Sequence, residues 1–102
     1  MTIRHVVTWK LAESDPSERA AQAERIVAAL EALPAQISDI RSLQVGVNSI
    51  GPERNWDVVL IADYDDAAAL ERYQVHPAHL PVVGLIKPLT AERSCVDFEL
   101  VL

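Results

Sequence analysis

An α+β fold of the ferredoxin-like βαββαβ type, with a four-stranded antiparallel sheet, is predicted by three features of the sequence. Four segments alternate or run apolar as strands do. Two helical patterns stand between them, the second one interrupted by prolines. Their order along the chain is strand, helix, strand, strand, split helix, strand. Residues 1–102 make a single domain, with no repeat, low-complexity tract or linker.

The first strand spans residues 3–11, where Ile3, His5, Val7, Trp9 and Leu11 share one face and Arg4, Val6, Thr8 and Lys10 the other. A helix starts at Asp15-Pro16-Ser17-Glu18. Asp15 caps it, Pro16 suits the first helical position, and Glu18 completes a capping box. Ala20, Ala23, Ile26, Val27, Leu30 and Leu33 then recur at helical spacing until Pro34. Residues 35–42 read as irregular. The second strand runs from Leu43 to Ile50, and Gly51-Pro52-Glu53-Arg54-Asn55 is a turn.

The third strand, Trp56 to Tyr64, is apolar on both faces at its centre, so both sides of the sheet are expected to be covered. Asp65 or Asp66 caps a short helix that carries Leu70 and Tyr73 and ends before Pro77. Pro77 is read as opening the next helix, with Leu80, Val83, Ile86 and Leu89 on its apolar stripe. The fourth strand runs from Arg93 to Leu102, with Val96, Phe98, Leu100 and Leu102 on one face.

Helices cover only one face of such a sheet. Four strands of about six residues present roughly 400 Å² on the other, from ~3.3 Å per residue and ~4.8 Å between strands. That is the upper limit for an exposed apolar patch on a soluble monomer. A two-fold homodimer, packed sheet to sheet, is the expected assembly.

Composition narrows the partners. Half of the residues are hydrophobic and 24% are charged, the balance of a globular chain. Nine Lys and Arg face fifteen Asp and Glu, for a formal charge of -6 with no basic cluster. Nucleic acid and anionic membrane are excluded on that ground, because both need a positive footprint. No apolar run approaches the length of a membrane span. The opening Met1-Thr2-Ile3-Arg4-His5 alternates like a strand, unlike a signal peptide, so a cytoplasmic location is expected. Cys95 is the sole cysteine, which excludes an intrachain disulfide and a four-cysteine zinc site. Within a strand it is expected to be a small buried hydrophobe.

The densest functional signal is Tyr73-Gln74-Val75-His76-Pro77-Ala78-His79-Leu80-Pro81, which holds two of the three histidines and one of the two tyrosines. With it go the opening His5-Val6-Val7-Thr8-Trp9-Lys10, the central Trp56-Asp57-Val58-Val59-Leu60 and the closing Cys95-Val96-Asp97-Phe98. Across these segments the chain resembles the stress-responsive dimeric α/β-barrel (Dabb) family. The Tyr-x-x-His-Pro-x-His element is the most specific of the four.

The resemblance implies a ferredoxin-like monomer, a dimer whose sheets close into an α/β barrel, and a small cavity between sheet and helices in each subunit. It extends to plant polyketide cyclases of the olivetolic acid cyclase type. Matching that motif, Tyr73 and His79 fall at catalytic positions and His5 and His76 at further pocket positions. The third strand of the cyclase carries one more histidine, where this chain has Val58. A pocket for a different ligand is implied. A cofactor-free monooxygenase group shares the barrel, but the His-Pro-Ala-His element fits the Dabb pattern better.

The chemistry of these side chains gives the expected roles. A histidine in the first turn of a helix is disfavoured as a cation by the dipole and the unpaired N–H groups there, so His79 is a neutral general base. Tyr73 donates its hydroxyl to a developing enolate, and His5 orients either group or binds a substrate oxygen. The reaction class is proton abstraction beside a carbonyl followed by aldol-type ring closure, with no cofactor, on a small apolar carbonyl compound. His76, Val7, Trp9, Val58, Leu60 and Val83 complete the expected pocket.

Structural readings stand beside these. His76 before Pro77 suits a backbone cap. His5 and His79 suit buried imidazoles bonded to main-chain carbonyls, and Tyr73 suits a core tyrosine. Trp9 and Trp56 read as core or dimer packing. Asp63, Asp65 and Asp66 read as a solvated helix start. His76 and His79 are three residues apart but lack a third ligand, so no metal is expected. Two functional classes therefore remain: a cyclase-like lyase or isomerase, and a non-catalytic dimeric domain for ligand binding or stress-response assembly.

Overall fold

The computed structural model describes residues 1–101. Its strands are β1 (Thr2–Leu11), β2 (Ser42–Val47), β3 (Val58–Tyr64) and β4 (Thr90–Leu100). The helices are α1 (Pro16–Glu31), α2 (Ala67–Val75) and α3 (Leu80–Ile86), with single 3₁₀ turns at Leu33–Ala35 and Lys87–Leu89. The sheet order is β2-β3-β1-β4 and every neighbouring pair is antiparallel. This is the ferredoxin-like arrangement, an α+β fold. No helix among the described residues is long and apolar enough to cross a membrane.

Alternation along β1 sends His5, Val7, Trp9 and Leu11 inward, and pairing with β3 brings Val58, Leu60, Ala62 and Tyr64 onto the same face. Ala23, Ile26 and Leu30 of α1, Leu70 and Tyr73 of α2, and Ile86 of α3 close over that face to form the core. Ile37 and Ile40 join it from the segment read as irregular. Two anchors in an aperiodic loop leave no trace for a pattern-based reading.

The helix starts follow their caps. The Asp15 carboxylate accepts from the Glu18 N–H at 2.9 Å. The Glu13 carboxylate, in place of the expected return by Glu18, accepts from Ser14 and Asp15 at 3.0 and 3.2 Å. Asp66 caps α2 by accepting from Ala69 at 2.8 Å. Replacing Asp66 by alanine is expected to cost about 1 kcal/mol in chemical denaturation, with an unchanged dependence on denaturant concentration.

The structure departs from the sequence reading in several places: β2 ends at Val47 and not Ile50, β3 begins at Val58 and not Trp56, and Leu80 and Val83 of the expected apolar stripe are exposed. The helix assigned to Pro77 begins at Leu80 instead, because a helix running from Pro77 would set the Pro81 ring against the carbonyl four residues back. Residues 77–79 form a turn, in which the His76 carbonyl accepts from both His79 and Leu80, at 2.9 and 3.3 Å. Strand β4 starts at Thr90 and ends at Leu100, so Leu102 lies outside the described residues. Ala20 is exposed on α1. Cys95 is exposed too, not buried. The helices pack over β1 and β3, and the inward side of the edge strand β4 stays largely uncovered.

The outer face of the sheet follows from the register. One row crosses all four strands through Gln44, Ile61, Val6 and Val96, all side by side. Val59 and Phe98 lie on the same face, with Val96 58% and Phe98 42% exposed. At one end Arg4 makes a bidentate pair with Asp63, at 2.8 and 2.9 Å, and Ser42 donates to the same carboxylate. The Arg4 guanidinium holds Asp63 below the usual carboxylate range. Asp65 pairs with Arg41. The acidic run is thus two ion-pair partners and one helix cap.

Candidate active site

A cavity of about 430 Å³ lies between the inner sheet face and the helices. The sheet contributes His5, Val7, Trp9 and Leu60, and α1 contributes Leu30. Tyr73 and Gln74 from the end of α2, His79 at the turn, and Val82, Val83 and Ile86 from α3 form the opposite wall. Lys87, Glu92 and Arg93 also line it. The Pro77 turn is what folds His79 back onto Tyr73. Their ring centroids are 4.3 Å apart, inclined at 43°.

The local hydrogen bonds fix how His79 is presented. Its Nδ1 lies 3.1 Å from the Gln74 carbonyl oxygen. A carbonyl only accepts, so Nδ1 carries the hydrogen and Nε2 keeps a free lone pair. Burial lowers the His79 pKa from its ordinary value of 6.5, partly offset by the Gln74 carbonyl. The folded state thus favours the neutral ring more than the unfolded chain does. His79 therefore contributes stability above pH 6.5 that is lost as pH falls below it. A proton NMR titration should place the His79 midpoint below 6.5, and a midpoint above it would contradict this environment.

Tyr73 is buried, and its hydroxyl is pushed up to about 12, chiefly by burial. It is a neutral O–H donor across the physiological range. Tyr64 lies beside it with ring centroids 5.1 Å apart, and burial raises its hydroxyl further still. The Tyr64 hydroxyl is buried with no hydrogen-bond partner among the described residues. His5 stands edge-on to both tyrosines, at 6.2 and 6.1 Å. Its Nδ1 bonds to the Asp97 carboxylate, and the Cys95 sulfur lies 3.5 Å from the same nitrogen.

The structure thus brings His5, Tyr73 and His79 to one cavity, together with Val7, Trp9, Leu60 and Val83. Two residues expected in the pocket are elsewhere. The His76 Nδ1 accepts from the Ala78 N–H at 3.0 Å, so this ring braces the turn and does not line the cavity. Val58 is buried at the far end of β3, paired with Trp9 and Val47. Sequence reasoning missed Asp97, Cys95 and Arg93. Their signal was the polar face of the last strand, where every second residue from Arg93 to Glu99 is polar or a thiol.

Comparison with other proteins finds a matching family model and solved structures of the same fold. The sequence model of the "Stress responsive A/B Barrel Domain" (Dabb) matches residues 3–100. An uncharacterized protein of Streptomyces coelicolor is 35% identical over 100 residues, covering 95% of this chain and 98% of the relative. A dimeric protein of unknown function and ferredoxin-like fold from Bacteroides fragilis superposes with a TM-score of 0.88 at 32% identity, over 97% of this chain and 96% of the other. The hydroxynitrile lyase of Passiflora edulis superposes with a TM-score of 0.78 at 15% identity, over 95% of this chain and 91% of its own, a likeness of fold alone.

Proposed function

The chain belongs to the stress-responsive A/B barrel domain family, and we propose that it is a cofactor-independent acid–base enzyme of the lyase or isomerase type. Its substrate in this reading is a small, largely apolar carbonyl compound of polyketide-like character. One observation carries it: a neutral histidine with a free Nε2 sits against an un-ionised tyrosine in a mainly apolar cavity.

In the mechanism, His79 Nε2 removes a proton from the carbon beside the substrate carbonyl. The Tyr73 hydroxyl donates a hydrogen bond to the oxygen as it becomes an enolate, in surroundings where water competes poorly. The enolate carbon then attacks a second carbonyl of the same molecule, forming a carbon–carbon bond. The alkoxide produced takes back the proton held by His79. His5 Nδ1 donates to the Asp97 carboxylate, which leaves its Nε2 lone pair to accept from a hydroxyl or enol of the substrate. Val7, Trp9, Leu60 and Val83 pack the carbon chain.

The assembly in this reading is a two-fold homodimer formed by the outer sheet face, where Val6, Val59, Ile61, Val96 and Phe98 otherwise face water. The unpaired thiol of Cys95 suits a reducing compartment, and we place the protein in the cytoplasm.

The test uses a linear diketone whose carbonyls are spaced for closure to a six-membered ring. In heavy water, NMR follows both deuterium entry beside the carbonyls and appearance of the cyclic hydroxy ketone. Enzyme-dependent exchange above the buffer rate supports the proposal. Saturable binding of the diketone without exchange would instead identify a non-catalytic ligand-binding domain.

A further inference from the structure

We propose that His5, Cys95 and Asp97 form a binding site for a divalent cation of the zinc class, on the seam between β1 and β4. The register produces this cluster. His5 is opposite Asp97 and Val7 is opposite Cys95, so two-residue alternation puts all three side chains on the inner face. Their ligand atoms lie within 4.8 Å of one another. The Cys95 sulfur is 3.5 Å from His5 Nδ1 and 3.5 Å from the Asp97 oxygen. A tetrahedral centre with Zn–S of ~2.3 Å and Zn–N or Zn–O of ~2.0 Å has sulfur-to-ligand edges of ~3.5 Å.

The remaining edge, between His5 and Asp97, is closed by their direct hydrogen bond. A cation there takes the place of the bonding proton, and the Asp97 side chain swings outward to admit it. Asp97 and Cys95 stand on the exposed edge strand, so both have room to move and the ion has a way in. His5 is only 3% exposed and is held by edge-on contacts with Tyr64 and Tyr73, so one ligand is fixed in advance.

The donor set selects the ion. One imidazole, one thiolate and one carboxylate suit zinc and its neighbours, whereas magnesium and calcium want oxygen alone. Three protein ligands leave a fourth position for water. Two groups oppose binding. The Cys95 thiol is raised by burial and by Asp97, so the ion must displace its proton. Arg93, the next residue on that face, sets its guanidinium beside the Cys95 thiol; it is exposed and makes no ion pair among the described residues, so it can swing into solvent as the cation enters.

The site shares His5 with the proposed pocket but does not rest on the acid–base pair of Tyr73 and His79, so cation binding is read independently of that reaction. The test takes full-length protein stripped with a chelator and adds Zn²⁺ in a calorimeter and Co²⁺ in a spectrophotometer. One equivalent per chain is expected, with a near-ultraviolet thiolate-to-cobalt charge-transfer band. Cys95→Ser should abolish that band. Asp97→Asn should weaken zinc by more than about 100-fold, beyond what loss of a merely supporting partner does. His76→Ala should bind as the parent does. Both ligand variants change exposed positions, so a thermal melt should show an intact fold. No stoichiometric zinc uptake at micromolar protein, or uptake unchanged by Cys95→Ser, would overturn the site.

Discussion

Replacing His79 by alanine is expected to leave the fold intact and to slow enzyme-dependent deuterium exchange by about 10²–10⁴-fold, the usual worth of a positioned general base. The stability change should be small. His79 is only half-buried, and truncation frees the Gln74 carbonyl at a solvent-accessible turn. Tyr73→Phe is the companion variant, since it keeps the buried ring and removes only the hydroxyl. Exchange should fall there as well, because the enolate loses its donor. A structural histidine would behave in the opposite way, with a lowered melting temperature and an exchange rate at the parent level. That pattern would remove the acid–base pair from the proposal.

The fold was legible because its elements carry strong local signals. The alternation of β1, the Asp15-Pro16 start and the doubly apolar β3 each have a single reading, and together they admit few topologies. The candidate pocket was legible for a different reason: Tyr73, His76 and His79 are close in sequence, so a short turn had to bring some of them together. Which ones depended on where the helix began. Pro81 moves that start to Leu80, and the result separates His79, which lines the cavity, from His76, which braces the turn. The Asp97 contact with His5 was beyond reach. It joins residues 92 positions apart and depends on the β1–β4 register, which no local pattern encodes. The exposure of Cys95 was lost for the same reason, since periodicity assigns a face but does not say whether helices cover it.

Replacing Val6 by aspartate is expected to divide the proposed dimer into folded monomers. In the register, Val6 lies between Ile61 and Val96, two apolar side chains on neighbouring strands, at the middle of the outer face. In a single chain that face meets water, so the new carboxylate stays hydrated and costs only the poor strand preference of aspartate, about 1 kcal/mol. In a two-fold sheet-to-sheet interface the substitution occurs twice, and neither carboxylate has a cation opposite it in its own row. Burying each without a partner costs about 3 kcal/mol or more. Two such penalties correspond to a rise of about 10⁴-fold in the dissociation constant. Sedimentation velocity at micromolar concentration should then read the monomer mass, with a circular dichroism spectrum like that of the parent. An aspartate at Ala20, exposed on α1 on the far side of the molecule, should leave the dimer mass unchanged. A Val6→Asp protein that remains fully dimeric would place the subunit contact somewhere other than the sheet, and the apolar outer face would then need a different occupant.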